Sequence, residues 1–197
     1  MKTEFLVDGC INPDYDAVKN ILTVRPYPLE KAGNSIHKVV GDIALVLYGV
    51  LQEDEFQTVG AKVPSGMEEV WGVSQEEMFR DAFETIQPRV ISFAHIDGTP
   101  LDEWEADGYF CLTTEKKING AVAIFKPGVA EKISNMIGPF NIVFTSCHEA
   151  MIHPVEDLDA NDLREIMEDT MRVATEEEDI LTHQVYRYSQ GKIRPLD

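Results

Sequence analysis

Thr145-Ser146-Cys147-His148-Glu149, with His153 close behind, is the stretch where hydroxyl, thiol, imidazole and carboxylate fall together. A serine or cysteine nucleophile needs a base within about 2.6–3.2 Å and a group that orients the base. Ser146 and His148 lie two apart and share one face of an extended chain, whereas the adjacent Cys147 and His148 would point apart. No GxSxG elbow presents Ser146 beside an oxyanion hole. A protease-type zinc site needs two histidines four apart on a helix. His148 and His153 are five apart with Pro154 next, which on a strand puts them on opposite faces. Two expectations follow: a small hydrolase or transferase site at Ser146, Cys147, His148 and Glu149, or a turn in which Thr145 and Ser146 bond to backbone and His148 packs or caps. No metal or cofactor is expected. The chain has neither GxGxxG nor GxxxxGK[ST], and the acids Asp97, Asp102, Glu103, Glu105 and Asp107 lack EF-hand spacing.

Charge narrows the partners. The 197 residues carry a net charge of −18, which disfavours direct binding to nucleic acid or to an anionic membrane. Half of that charge sits between Glu156 and Asp179, where eleven acids face only Arg164 and Arg172, net −9. Such a stretch is a solvated helical face, a docking surface for a basic protein, or an acidic mimic of nucleic-acid phosphates. Trp71, Trp104, Tyr186 and Tyr188 are not interleaved with arginines as a base-stacking surface requires, and read as core or core-edge. No apolar run reaches the ~18–20 residues of a membrane helix, and MKTEFLVDGC does not read as a secretory signal, so a cytoplasmic protein is expected. Cys10, Cys111 and Cys147 are odd in number and widely spaced, which points to buried free thiols rather than disulfides.

The elements that must position the polar stretch have clear local signals. Residues 1–20 carry weak ones and read as a loosely ordered extension with a turn at Asn12-Pro13-Asp14. Strands are expected at 21–27, within 36–52, at 56–63 after a turn at Glu53-Asp54-Glu55, and at 90–96. Ser74 and Glu77 form a capping box before the apolar stripe Met78, Phe79, Ala82, Phe83 and Ile86. Residues 97–107 read as an exposed acidic loop. Tyr109–Thr114 and Ala121–Phe125 flank Asn119-Gly120 as an expected hairpin. Pro127 opens and Gly138 closes a helix. Strands at 140–145 and 150–153 flank the turn at His148-Glu149. Asp159 caps an acidic helix with Leu163, Ile166, Met167 and Thr170 inward. Thr175 caps a short helix, and a strand at 185–188 precedes a basic tail. Hairpins dominate and helices come singly. The expectation is one α+β domain over residues 1–197, with a largely antiparallel sheet of six to eight strands and three or four packed helices.

Several dispersed segments also resemble a family. YFCLTTEKKINGAVAIFKPGVAEKISNMIG, FNIVFTSCHEAMIHP and EEDILTHQVYRYSQGKIR are similar, in order, to a domain of unknown function common in gut Firmicutes. Its pattern runs LTN, a lysine-rich turn with Asn-Gly-Ala, Tyr-Pro, Pro-Ser-Ser-Ile-His-Glu-Val and Tyr-Arg-Tyr. GDIALVLYGVL and VWGVSQEEMFRDAFE extend the likeness upstream, over roughly residues 21–193. The chain departs at Phe144, Thr145 and Cys147, while Ser146, His148 and Glu149 match. The resemblance implies a compact bacterial domain and no particular activity or residue role. From the residues themselves, the leading expectation is a non-catalytic interaction or regulatory domain that meets a basic protein through residues 156–179. The hydrolase or transferase at Ser146-His148-Glu149 is the first alternative, and the acidic nucleic-acid mimic the second.

Overall fold

A computed structural model describes residues 5–7, 10–53, 58–92, 98–104, 110–156 and 158–196. The expected turn at Asp54-Glu55, the first residues of the strand at 56–63, the end of the strand at 90–96, and Asp97 and 105–107 of the acidic loop lie outside them. The contacts divide the chain into two compact units, Met1–Val39 with Ala44–Ile86, and Val40–Ile43 with Gln87–Asp197.

In the first unit the ribbon β1 (Leu6–Val7) and β2 (Cys10–Ile11) precedes α1 (Tyr15–Val18), capped by the Asp14 carboxylate. A four-stranded sheet follows, built from β3 (Leu22–Pro28), β4 (His37–Val40), β5 (Ile43–Glu53) and β6 (Thr58–Lys62), with β5 central. The apolar run of the sequence is β5, and Ile43–Leu47 are almost wholly buried, as a central strand requires. Then come α2 (Met67–Trp71) and α3 (Gln75–Glu84). The Ser74 hydroxyl accepts from the Glu77 N–H at 3.2 Å, and the expected stripe from Met78 to Ile86 is buried.

The second unit holds β7 (Pro88–Ser92), β8 (Thr99–Pro100), β9 (Phe110–Thr114), α4 (Val129–Ile137), β10 (Phe140–Val143), β11 (Ala150–Pro154), α5 (Ala160–Ala174), β12 (Tyr186–Ser189) and β13 (Lys192–Pro195). Its seven strands form an antiparallel sheet in the order β13-β12-β10-β11-β9-β7-β8. The class is α+β, as the isolated helices and hairpins led one to expect.

Strand alternation gives this sheet two different faces. Phe140, Ile142 and Phe144 point to one, where Phe144 meets Tyr186 edge-on at 5.6 Å and Phe125 in a stack at 5.8 Å. Val143 points to the other, where α5 packs Leu163, Met167 and Met171 against Val143 and Val185. The inward stripe of α5 therefore runs at spacings of four. Ile166 and Thr170, expected inward, sit at the helix flank, and Ile166 is 45% exposed.

Four more local expectations are corrected. Ala121–Phe125 is not a strand. Gly120–Phe125 is a buried 3₁₀ helix. The Asn-Gly pair does turn the chain, with Asn119 at φ 53°. But β9 already has β7 on one edge and β11 on the other, so no edge is left for a returning strand. Leu101 and Trp104 of the acidic loop are buried, and Trp104 lies 4.1 Å from the Phe110 ring. Thr175 does not cap the 3₁₀ turn Glu177–Asp179, because its hydroxyl donates to the Thr145 carbonyl at 2.8 Å. The three thiols are free but not fully buried: Cys10 is exposed, Cys111 and Cys147 half-buried.

Candidate functional site

The chain between β10 and β11 bends at Thr145–His148, and its own side chains hold the bend. Ser146 Oγ accepts from the His148 N–H at 2.9 Å and donates to Glu149 Oε1 at 2.8 Å. Thr145 Oγ1 donates to the same carboxylate oxygen at 2.6 Å. The bond from the His148 N–H is the local kind that favours serine in turns, whereas Thr145, expected to bond to backbone, bonds to the Glu149 side chain instead. Neighbouring segments satisfy the backbone. The Cys147 N–H donates to the Asp179 carbonyl at 2.8 Å, and the Cys147 carbonyl accepts from the Ala121 N–H at 3.2 Å. Thr113 Oγ1 donates to the His148 carbonyl at 2.7 Å. At Gly120 a β-carbon would collide with Thr113 Oγ1 and the His148 carbonyl and lie 2.8 Å from the Thr114 nitrogen. Asn119-Gly120-Ala121 and Ser146-Cys147-His148 thus close on each other across β9 and β11.

This geometry distributes the suspected residues in an informative way. Cys147 and His148 do approach, against the extended-chain expectation, because the backbone bends between them. The sulfur lies 3.9 Å from Nδ1 and 3.8 Å from Nε2, so it is aligned with neither nitrogen. Nδ1 accepts the Asn119 N–H at 3.0 Å, which puts the neutral ring's proton on Nε2, 3.4 Å from Asp179 Oδ2. Ser146 bonds to Glu149, not to the imidazole. Burial pushes the Cys147 thiol up to about 12, and the Asp179 carboxylate, 3.6 Å away, pushes in the same direction. A nucleophilic cysteine needs the opposite, a depressed pKa beside a cationic partner.

Cys147, His148 and Asp179 offer one ligand atom each within 4.8 Å of one another. A cation there would require the thiolate. It would also require an imidazole protonated on the nitrogen that does not bind metal, yet the Asn119 N–H already occupies Nδ1. The donor set is suitable in type and wrongly wired in detail. His153 lies elsewhere, buried on β11, so the two histidines do not converge.

The raised thiols make stability pH-dependent. Cys147 and Cys111, the latter pushed up to about 11 by burial and then by Glu149, stay protonated in the fold well above their ordinary value of 9.0. Above pH 9 the unfolded chain has released these protons and the folded one has not, so stability is full below pH 9 and is lost as pH rises toward 11–12. The wild type is expected to lose more of its urea midpoint between pH 8.5 and 10.5 than Cys147→Ala. Parallel losses would refute it.

The acidic stretch divides by geometry. Asp159 accepts from the Asn161 and Asp162 N–H groups and starts α5. Arg172 pairs with Asp169 at 2.6 Å, and Arg164 donates to Asn161 and to the Leu196 carbonyl. That uses both arginines. Glu165, Glu168, Glu176, Glu177 and Glu178 are exposed and have no ion pair among the described residues.

A cleft of about 380 Å³ opens between the free part of the sheet face and the flank of α5. Its floor is a row across four strands, Val143, Met151, Cys111 and Ile91, in register. Glu149, Thr145, Thr113 and Lys117 stand at one end, His153 at the other, and Ile166 and Thr170 form the wall. Thr145, Glu149 and His153 belong to the polar stretch singled out in the sequence, whereas Thr113, Lys117 and the apolar floor do not. The alternation Glu149, Met151, His153 against buried Ala150 and Ile152 carries the signal.

The model of a family of unknown function, DUF5688, matches residues 29–190. No curated protein matches the chain, and no solved structure does.

Proposed function

We propose that this chain, which belongs to the DUF5688 family of unknown function, is a non-catalytic interaction domain of the bacterial cytoplasm that offers the acidic outer face of α5 to a basic protein. One observation carries the non-catalytic part: the bonding of the Thr145–Glu149 turn. Ser146 spends its hydroxyl proton on Glu149, His148 its basic nitrogen on a backbone N–H, and Cys147 sits beside a carboxylate as a neutral thiol. A hydrolase or transferase at these residues would first have to break the bonds that shape the loop.

The interaction part rests on the unneutralised acids. Exposed carboxylates without partners steer a cationic surface and select against anionic ones. Val173, 81% exposed, and Ile166 add apolar contact area among Glu165, Glu168 and Glu176–Glu178. Three free thiols suit a reducing compartment.

A photo-crosslinker placed at the exposed Val173 in living cells is expected to trap a basic protein. The variant Glu165→Lys/Glu168→Lys/Glu177→Lys/Glu178→Lys should lose at least about tenfold of that product while keeping its circular dichroism. Undiminished trapping by the variant removes the proposal. Loss of the product when duplex DNA is added to a lysate before irradiation would assign the acids to nucleic-acid mimicry instead.

A further inference from the structure

We infer that the cleft on the second unit's sheet binds a small zwitterion with an apolar body, of the size of a hydrophobic dipeptide, its ammonium on Glu149 and its carboxylate on Lys117. The volume of about 380 Å³ lies within the ~300–1,000 Å³ of small-molecule sites. Like those sites, the cleft has an apolar floor, from Ile91, Cys111, Val143 and Met151, and its two charged groups, Glu149 and Lys117, stand at one end.

Those polar groups are of opposite sign and unspent. Glu149 Oε1 is fixed by the Thr145 and Ser146 hydroxyls, and among the described residues Oε2 has no hydrogen-bond partner. The carboxylate is therefore oriented before any ligand arrives. Lys117 is held by its backbone at φ 56°, with its N–H on the Thr114 carbonyl, and its ammonium makes no ion pair among the described residues. Lys117 and Glu149 line one cleft yet do not pair with each other. A half-buried carboxylate beside an apolar floor gains most from a cation that arrives with its own apolar surface.

The larger hollow at Arg89, Lys126 and Lys132, about 600 Å³, differs in this respect. Arg89 pairs there with Glu115 at 2.8 Å and Lys132 with Asp102. Its opposite charges are largely matched internally, which leaves less for a ligand to answer.

The experiment is a two-dimensional amide NMR titration of the full chain with the dipeptide Leu-Phe, its N-acetyl form and its C-terminal amide. Leu-Phe is expected to give saturable shifts at Thr113, Met151 and Thr170. N-acetylation should weaken binding about tenfold or more, as loss of one charge-assisted hydrogen bond does. Glu149→Gln keeps an acceptor for both hydroxyls and should reproduce the loss in the wild-type fold. Amidation, and Lys117→Met, should weaken it about threefold, since that lysine is exposed. No shifts in the cleft at about 10 mM Leu-Phe would overturn the inference. Equal binding of Leu-Phe, its N-acetyl form and its amide would also overturn it, leaving an apolar slot without charge recognition. Glu149→Gln with unchanged affinity would remove the assigned ammonium site.

Discussion

Gly120→Ala is expected to lower stability by about 3 kcal/mol or more, a large part of the ~5–15 kcal/mol that holds a domain folded. The added methyl would collide with the His148 carbonyl and press on the Thr114 nitrogen, and backbone atoms of a central sheet do not move aside cheaply. Moving Gly120 away would also draw Ala121 from the Cys147 carbonyl and Asn119 from His148 Nδ1, so several bonds fail together. Gly128→Ala is the fitting control. Its φ is 85° but nothing lies within 4 Å, so only the backbone conformation is penalised, by about 1 kcal/mol. Urea midpoints of the two variants check the difference, and equal midpoints would contradict the close packing at Gly120.

Phe144→Ala should cost about 3–5 kcal/mol, or roughly 10 °C in melting temperature for a chain of this size. The ring is fully buried between Phe125 and Tyr186, and its removal leaves a cavity under the loop that carries Ser146 and His148. Phe144→Leu, which keeps most of the volume, should recover more than half of the loss in the same melt. A loss below about 1 kcal/mol would mean that the site collapses freely and that the aromatic contacts contribute little.

Local signals were legible where local physics decides the outcome. Ser74 and Asp159 cap their helices as their side chains require, and the stripe Met78–Ile86 is buried as its spacing demands. The antiparallel α+β class followed from the density of turns. Misreadings came where a distant partner outweighed the local preference. Asn119-Gly120 with Ala121–Phe125 has every mark of a hairpin, yet β7 and β11, both remote in sequence, had taken the edges of β9. Thr175 has the form of a cap but bonds to Thr145, thirty positions away. At the candidate site, spacing alone excluded a Cys147–His148 contact because it assumed extended chain. The bend brings them together, and the neighbour that decides their chemistry, Asp179, cannot be seen from the motif. The cleft was half legible: alternation marks one face of β11, but not that α5 stops short of covering it.

Both rims of the seven-stranded sheet are blunted. On one side β8 is two residues long and ends in Pro100; on the other, β13 carries Lys192 and Arg194 and ends in Pro195. A short strand, a proline without an N–H and like charges in a row each discourage a foreign strand from joining. Recruitment by strand addition, a common route for peptide capture and for runaway assembly, is thereby disfavoured at both edges of this sheet. Two cations of an acidic chain thus stand where a second β13, approaching edge to edge, would meet like charge.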